Sequence, residues 1–101
     1  DGVTATPAQH LARVLSGNTN AFVDVMAYQD TVARTVAAVT PWSNLGVRFQ
    51  VAVEIGPSDP GSTWFGHPWS DAVTAINAVE SQFGSNPKFV GIDVDSSLYL
   101  I

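Results

Sequence analysis

Three acidic residues fall at or next to expected strand ends: Glu54, Asp93 and Asp95. Glu54 is the foremost of them. It closes an apolar run of strand type and precedes the segment Gly56-Pro57-Ser58-Asp59-Pro60-Gly61-Ser62, whose prolines and glycines mark an irregular loop. A pair of carboxylates can divide the work of acid and of nucleophile or base between its members, the arrangement most glycosidases use. Glu54 is a candidate for one member, and Asp95 or Asp93 for the other. Carboxylates crowded together also raise one another's pKa or hold a cation. Each has a plain structural reading as well, a solvated or hydrogen-bonded acid at a strand end.

Aromatic residues accompany the acids. Tyr28 follows the first strand, and Trp64, Phe65, His67 and Trp69 follow the long loop. Exposed tryptophans offer flat platforms to the apolar faces of sugar rings, and His67 can donate to a ligand. The same aromatics can instead pin a loop or fill a core, with the tyrosine hydroxyl satisfied. Asp24 sits deeper along its strand and suits a buried polar network. Asp30 suits a helix cap. The two histidines, His10 and His67, lack metal-ligand spacing, and the sequence has no cysteine. No metal and no cofactor is therefore expected. A glycine-rich phosphate loop and a Gly-x-Ser-x-Gly elbow are both missing, which disfavours nucleotide binding and α/β-hydrolase chemistry.

The elements that position these residues follow from periodicity. Thr6-Pro7-Ala8-Gln9 is a capping-box helix start, with Leu11, Val14 and Leu15 as the apolar stripe and Gly17 as the stop. Ala21 to Ala27 reads as a strand. Asp30 is placed to cap a second helix carrying Val32, Val36 and Val39, which Pro41 disturbs and Gly46 closes. Arg48 to Ile55 is the second strand. Ser70 is placed to cap a third helix with Val73, Ile76, Val79 and Phe83 buried, and Gly84 ends it. Asn86-Pro87 then turns the chain into a third strand, Phe89 to Val94, ahead of an ambiguous tail, Ser96 to Ile101. Strands alternating with helices imply an α/β fold with a parallel sheet, here a single domain over residues 1–101.

Alternation along the strands divides the side chains into two sets. Val23, Val25 and Ala27; Phe49, Val51 and Val53; and Val90, Ile92 and Val94 belong under the helices. Phe22, Asp24, Met26 and Tyr28; Gln50, Ala52 and Glu54; and Gly91, Asp93 and Asp95 belong to the other face. Parallel strands covered on both sides read as continuous apolar runs. These do not. A barrel interior accounts for the mixed face, and a small open sheet with one face in water is the alternative. With 101 residues the chain is too short to close a (β/α)8 barrel, which needs roughly 200 or more.

Charge and composition narrow the partners. The net charge is −5 and the four basic residues are scattered, which disfavours nucleic acid. No apolar run reaches membrane-spanning length, and no secretory signal is present. A surface poor in lysine and rich in Ala, Thr and Ser suits a secreted protein.

Val23-Asp24-Val25-Met26-Ala27-Tyr28-Gln29-Asp30 resembles the sixth strand of chitinase-like glycoside hydrolase barrels, which ends in a Met-x-Tyr-Asp pattern. Gln29 stands here as an extra residue between the tyrosine and the aspartate. The succession of this strand, Val53-Glu54 and Phe89-Val90-Gly91-Ile92 looks similar to bacterial barrels related to glycoside hydrolases. The resemblance spans roughly residues 20 to 95. It implies a partial TIM barrel made of strands six to eight. The acid-bearing fourth strand would lie outside this sequence. The expected function is part of a carbohydrate-active site: Glu54, Asp95 and Asp93 supply carboxylates, while Tyr28, Trp64, Trp69 and His67 contact sugar. The chain alone would be inactive, and its partners would be carbohydrate and the remaining barrel segment or further copies of itself. The alternatives are a non-catalytic, self-assembling structural protein and a sugar-binding module.

Overall fold

The structure, a computed structural model, describes residues 6–15 and 20–96. Elements alternate in the order α1 (Pro7–Leu15), β1 (Val23–Met26), α2 (Val32–Ser43), β2 (Phe49–Glu54), α3 (Trp69–Phe83) and β3 (Phe89–Asp95). The three strands form one parallel sheet in the order β1-β2-β3. The protein is therefore α/β with an open sheet. No helix among the described residues is long and apolar enough to cross a membrane.

Local chemistry explains most boundaries. The Thr6 backbone N–H donates to Gln9 Oε1 at 2.9 Å, and the Gln9 N–H donates to Thr6 Oγ1 at 3.1 Å. This is the expected capping box at the start of α1. Gly17, the expected stop, lies outside the described residues. At α2 the cap is Thr31, whose Oγ1 accepts from the Arg34 N–H at 3.2 Å. Asp30 does not fill that role, since its carboxylate is engaged by His67 instead. Pro41 stands inside the last turns of α2. Ser70 does not cap α3. The helix begins at Trp69, after Pro68, with no side-chain cap, and Ser70 offers its carbonyl to the Thr74 hydroxyl.

One layer of helices covers one face of the sheet. Val25, Ala27, Phe49 and Val51 pack with Val39, Val79 and Phe83 in the main core. Val53, Trp64, Ala72 and Ala75 form a second cluster beside it. Phe49 centres the first cluster. Its ring meets Phe83 edge-on at 6.1 Å and Phe89 at 5.6 Å.

The third strand departs from strict alternation. Phe49 pairs with Phe89, but Gln50 pairs with Gly91, so Val90 is an extra residue in a bulge. Gly91 takes φ +153°, a conformation side chains disfavour. The bulge lets Phe89 and Ile92, three apart, pack against the same core. Val90, expected beneath a helix, is 40% exposed, and Val94 is also exposed. In α3, Val73 is likewise exposed, while Ala72 and Ala75 are buried in its place. Small residues sit where the helix lies closest to the sheet.

Candidate functional site

The site is built on the sheet face that the helices leave uncovered. Register places side chains in rows across that face. Asp24 stands with Gln50 and Gly91, and Met26 with Ala52 and Asp93. Glu54 stands beside Asp95 at the C-terminal ends of β2 and β3. Tyr28, two residues beyond the end of β1, reaches across to the same row. Its hydroxyl donates to Asp95 Oδ2 at 2.6 Å. The structure thus brings Tyr28, Glu54, Asp93 and Asp95 together at one end of the sheet, with Asp24 deeper on the same face.

Glu54 is 2% exposed. Its position is fixed by the chain that follows it. The Gly56 N–H donates to Glu54 Oε1 at 2.8 Å. A Cβ on residue 56 would come within 3.0 Å of that oxygen and 3.2 Å of Ser96 Oγ, so only glycine leaves the carboxylate undisturbed. Behind it, the Glu54 carbonyl accepts from the Trp64 N–H at 3.0 Å. The buried Thr63 hydroxyl donates to the Gly56 carbonyl at 2.6 Å and accepts from the Phe65 N–H at 3.1 Å. Ile55 N–H donates to the Asp95 carbonyl at 2.9 Å, which extends the ladder one step beyond β2. The long loop is thereby anchored at both ends.

The acids are electrostatically coupled. A side-chain hydrogen bond to Asp95 holds the proton on Asp93 and raises its pKa; burial and the charges of Asp95 and Asp24 act in the same direction. Asp24 is also raised, by partial burial against the sheet and then by the charge of Asp95. The Tyr28 hydroxyl is pushed up by its hydrogen bond to Asp95, by burial and by the surrounding carboxylates. Tyr28 therefore remains a hydrogen-bond donor, and Asp93 keeps its proton to higher pH than an ordinary aspartate. A carboxyl with a raised pKa beside other carboxyls is an arrangement able to donate and accept a proton in turn. Among the described residues no group of three or more His, Asp or Glu is disposed to hold a metal ion.

The aromatic candidates separate. Trp64 is only 5% exposed and packs with Val53, Ala72 and Ala75 on the helix-covered side, so it offers no open platform. Trp69, 58% exposed, and Phe65 present aromatic surface after the loop. His67 does not join the carboxylate cluster. Its Nε2 lies 3.1 Å from Asp30 Oδ2, and its ring meets Trp64 edge-on at 5.7 Å. No pattern along the chain marked the pairing of Asp30 and His67, 37 positions apart. Nor did any mark Thr63 and Gly56 as the residues that seat Glu54; proximity to the strand end was the one available sign.

Compared with protein-family models, with curated proteins and with solved structures, the chain matches none of them.

Proposed function

We propose that the chain supplies three β/α units of a carbohydrate-active, glycoside hydrolase-like (β/α)8 barrel. In this reading the uncovered face is the barrel interior, and the row of Tyr28, Glu54 and Asp95 lies at the C-terminal mouth where barrel enzymes place their chemistry. The observation that carries it is the Tyr28–Asp95 hydrogen bond, which joins the outer strands across the end of the middle one, beside Glu54.

Several features support the same reading. Apolar groups stand bare on α1, Leu11 and Val14, and on β3, Val90 and Val94. Further β/α units would cover them. Glu54, Asp95 and Asp93 are the catalytic candidates, with Asp93 as the group that carries a proton. Tyr28 and Trp69 are the sugar contacts. Trp64 and His67 serve by shaping the loop that leads to Trp69.

The test has two arms. The purified chain is titrated with oligosaccharides while the Tyr28 and Trp69 ring resonances are followed by NMR. Saturable shifts at both, lost in Asp95→Asn, are expected. In parallel, chromogenic glycosides should not be turned over, because three strands leave the site half built. Rings indifferent to every oligosaccharide, or hydrolysis by the isolated chain, would sink the reading.

A second reading has its own observation. Met26, 68% exposed, sits on the uncovered face of β1, and Phe22, just before that strand, is also exposed. Apolar side chains there suit a surface covered by another polypeptide, so a non-catalytic, self-assembling role is the alternative. Light scattering separates the two: a monodisperse monomer at all concentrations counts against assembly.

A further inference from the structure

The loop between β2 and α3 carries the one Asp–Pro bond in the sequence, Asp59-Pro60. Three features set this bond apart. First, it opens a tight turn over Asp59, Pro60, Gly61 and Ser62. Pro60 and Gly61, the latter at φ +87°, take the central positions, the pair that a type II turn favours. Second, the carbonyl of the bond accepts twice from one residue. The Ser62 N–H donates to the Asp59 carbonyl at 3.1 Å, and the Ser62 hydroxyl donates to it at 2.6 Å. Two donors held on one carbonyl oxygen stabilise the negative charge that gathers there under nucleophilic attack. Third, Asp59 is exposed, and its carboxylate has no partner among the described residues. Nothing there holds the carboxylate away from its own backbone.

We propose that the folded chain cuts itself between Asp59 and Pro60. A carboxylate oxygen of Asp59 attacks the Asp59 carbonyl carbon and forms a five-membered cyclic anhydride, a covalent intermediate that divides the hydrolysis into two easier steps. The C–N bond to Pro60 breaks as it forms. The proline nitrogen, with a proton taken from solvent, leaves as a secondary amine. Water then opens the anhydride, so that Asp59 ends with two carboxyl groups. Water and a proton are the only other reactants. The two pieces stay together, because the loop is tied down on either side of the cut. The Trp64 N–H holds the Glu54 carbonyl, the Thr63 hydroxyl holds the Gly56 carbonyl, and β2 and β3 remain paired. The cut frees only the turn, close in sequence to the exposed Phe65 and Trp69. None of this depends on the sugar-binding reading.

The purified full chain is kept in mildly acid buffer for days, and the masses present are read under denaturing conditions. Fragments 1–59 and 60–101 should accumulate, and without denaturant they should elute as one species in gel filtration. The chain unfolded in urea, which keeps the Asp–Pro bond but not the turn, should be cut about tenfold more slowly. Ser62→Ala retains the N–H donor and loses the hydroxyl. It should slow the cut by about tenfold, less than the loss of a donor costs in a water-excluded oxyanion site, because this turn is open to solvent. Asp59→Ala, which removes the nucleophile, should abolish it. Both substitutions fall in the loop outside the core clusters, and circular dichroism verifies that each variant folds. Cleavage in urea as fast as in the folded chain, an unchanged rate in Ser62→Ala, cleavage that survives Asp59→Ala, fragments that part without denaturant, or no cleavage would each overturn the proposal.

Discussion

At the scale of single residues, the chain concentrates its polar chemistry where backbone geometry turns side chains away from the helices. Asp93 shows the energetic consequence. Its folded-state pKa is raised, so between the ordinary carboxyl value of 3.8 and the raised one the native state binds more protons than the unfolded chain. Its contribution to stability is therefore complete below that ordinary value and is lost as pH rises through the raised one. Asp93→Asn, which cannot ionise, should escape this loss. Thermal unfolding of the variant and the parent across the acid range checks it. The difference in Tm, variant minus parent, should grow more positive from pH 4 towards neutrality, and a flat difference would remove Asp95 as a partner. Gly56 gives a second residue-scale prediction. Gly56→Ala would push against Glu54 Oε1 and Ser96, so the carboxylate must move. If the oligosaccharide response exists, it should fall in this variant although residue 56 carries no chemistry.

At the scale of elements, the fold rests on the middle strand. β2 is buried almost throughout, with Phe49, Val51 and Val53 under the helices and Ala52 and Glu54 on the other face. Phe49→Ala should remove about 3–5 kcal/mol, the range for truncating a buried phenylalanine. That is a large part of the stability of a domain this size, typically about 5–15 kcal/mol. Chemical denaturation would measure it, and a loss under about 1 kcal/mol would mean that Phe83 and Phe89 close over the gap. The order and type of the elements were legible from the sequence, because the 3.6-residue and two-residue periods are long and clear. So was the division of the faces on β1 and β2, and on β3 from Gly91 to Asp95. What escaped was local competition. Thr31 caps the helix in place of Asp30, whose carboxylate meets His67, and the bulge at Val90 puts Phe89 rather than Val90 opposite Phe49, which no apolar pattern records. Burial of Trp64 was also illegible. It depends on the loop folding back over Ala72 and Ala75, two small residues that only the packed structure brings beneath it.

At the scale of the whole molecule, the sheet has β1 and β3 as its outer strands, both running the same way. Each has one side unpaired among the described residues. A two-fold axis joining like strands would make antiparallel pairs, whereas a β3-to-β1 junction keeps every strand parallel and repeats one unlike contact. Contacts of that kind close into a ring only if the rotation per copy allows it, and otherwise run on as a fibre. Concentrated protein should therefore show, if it associates through its strands, either one closed ring size or open-ended polymers. A proline in β3, at a position whose N–H faces outward, should abolish either form while sparing the monomer. The polarity of three strands thus carries a rule for assembly: copies stacked in a common sense of direction, as in a row rather than a pair.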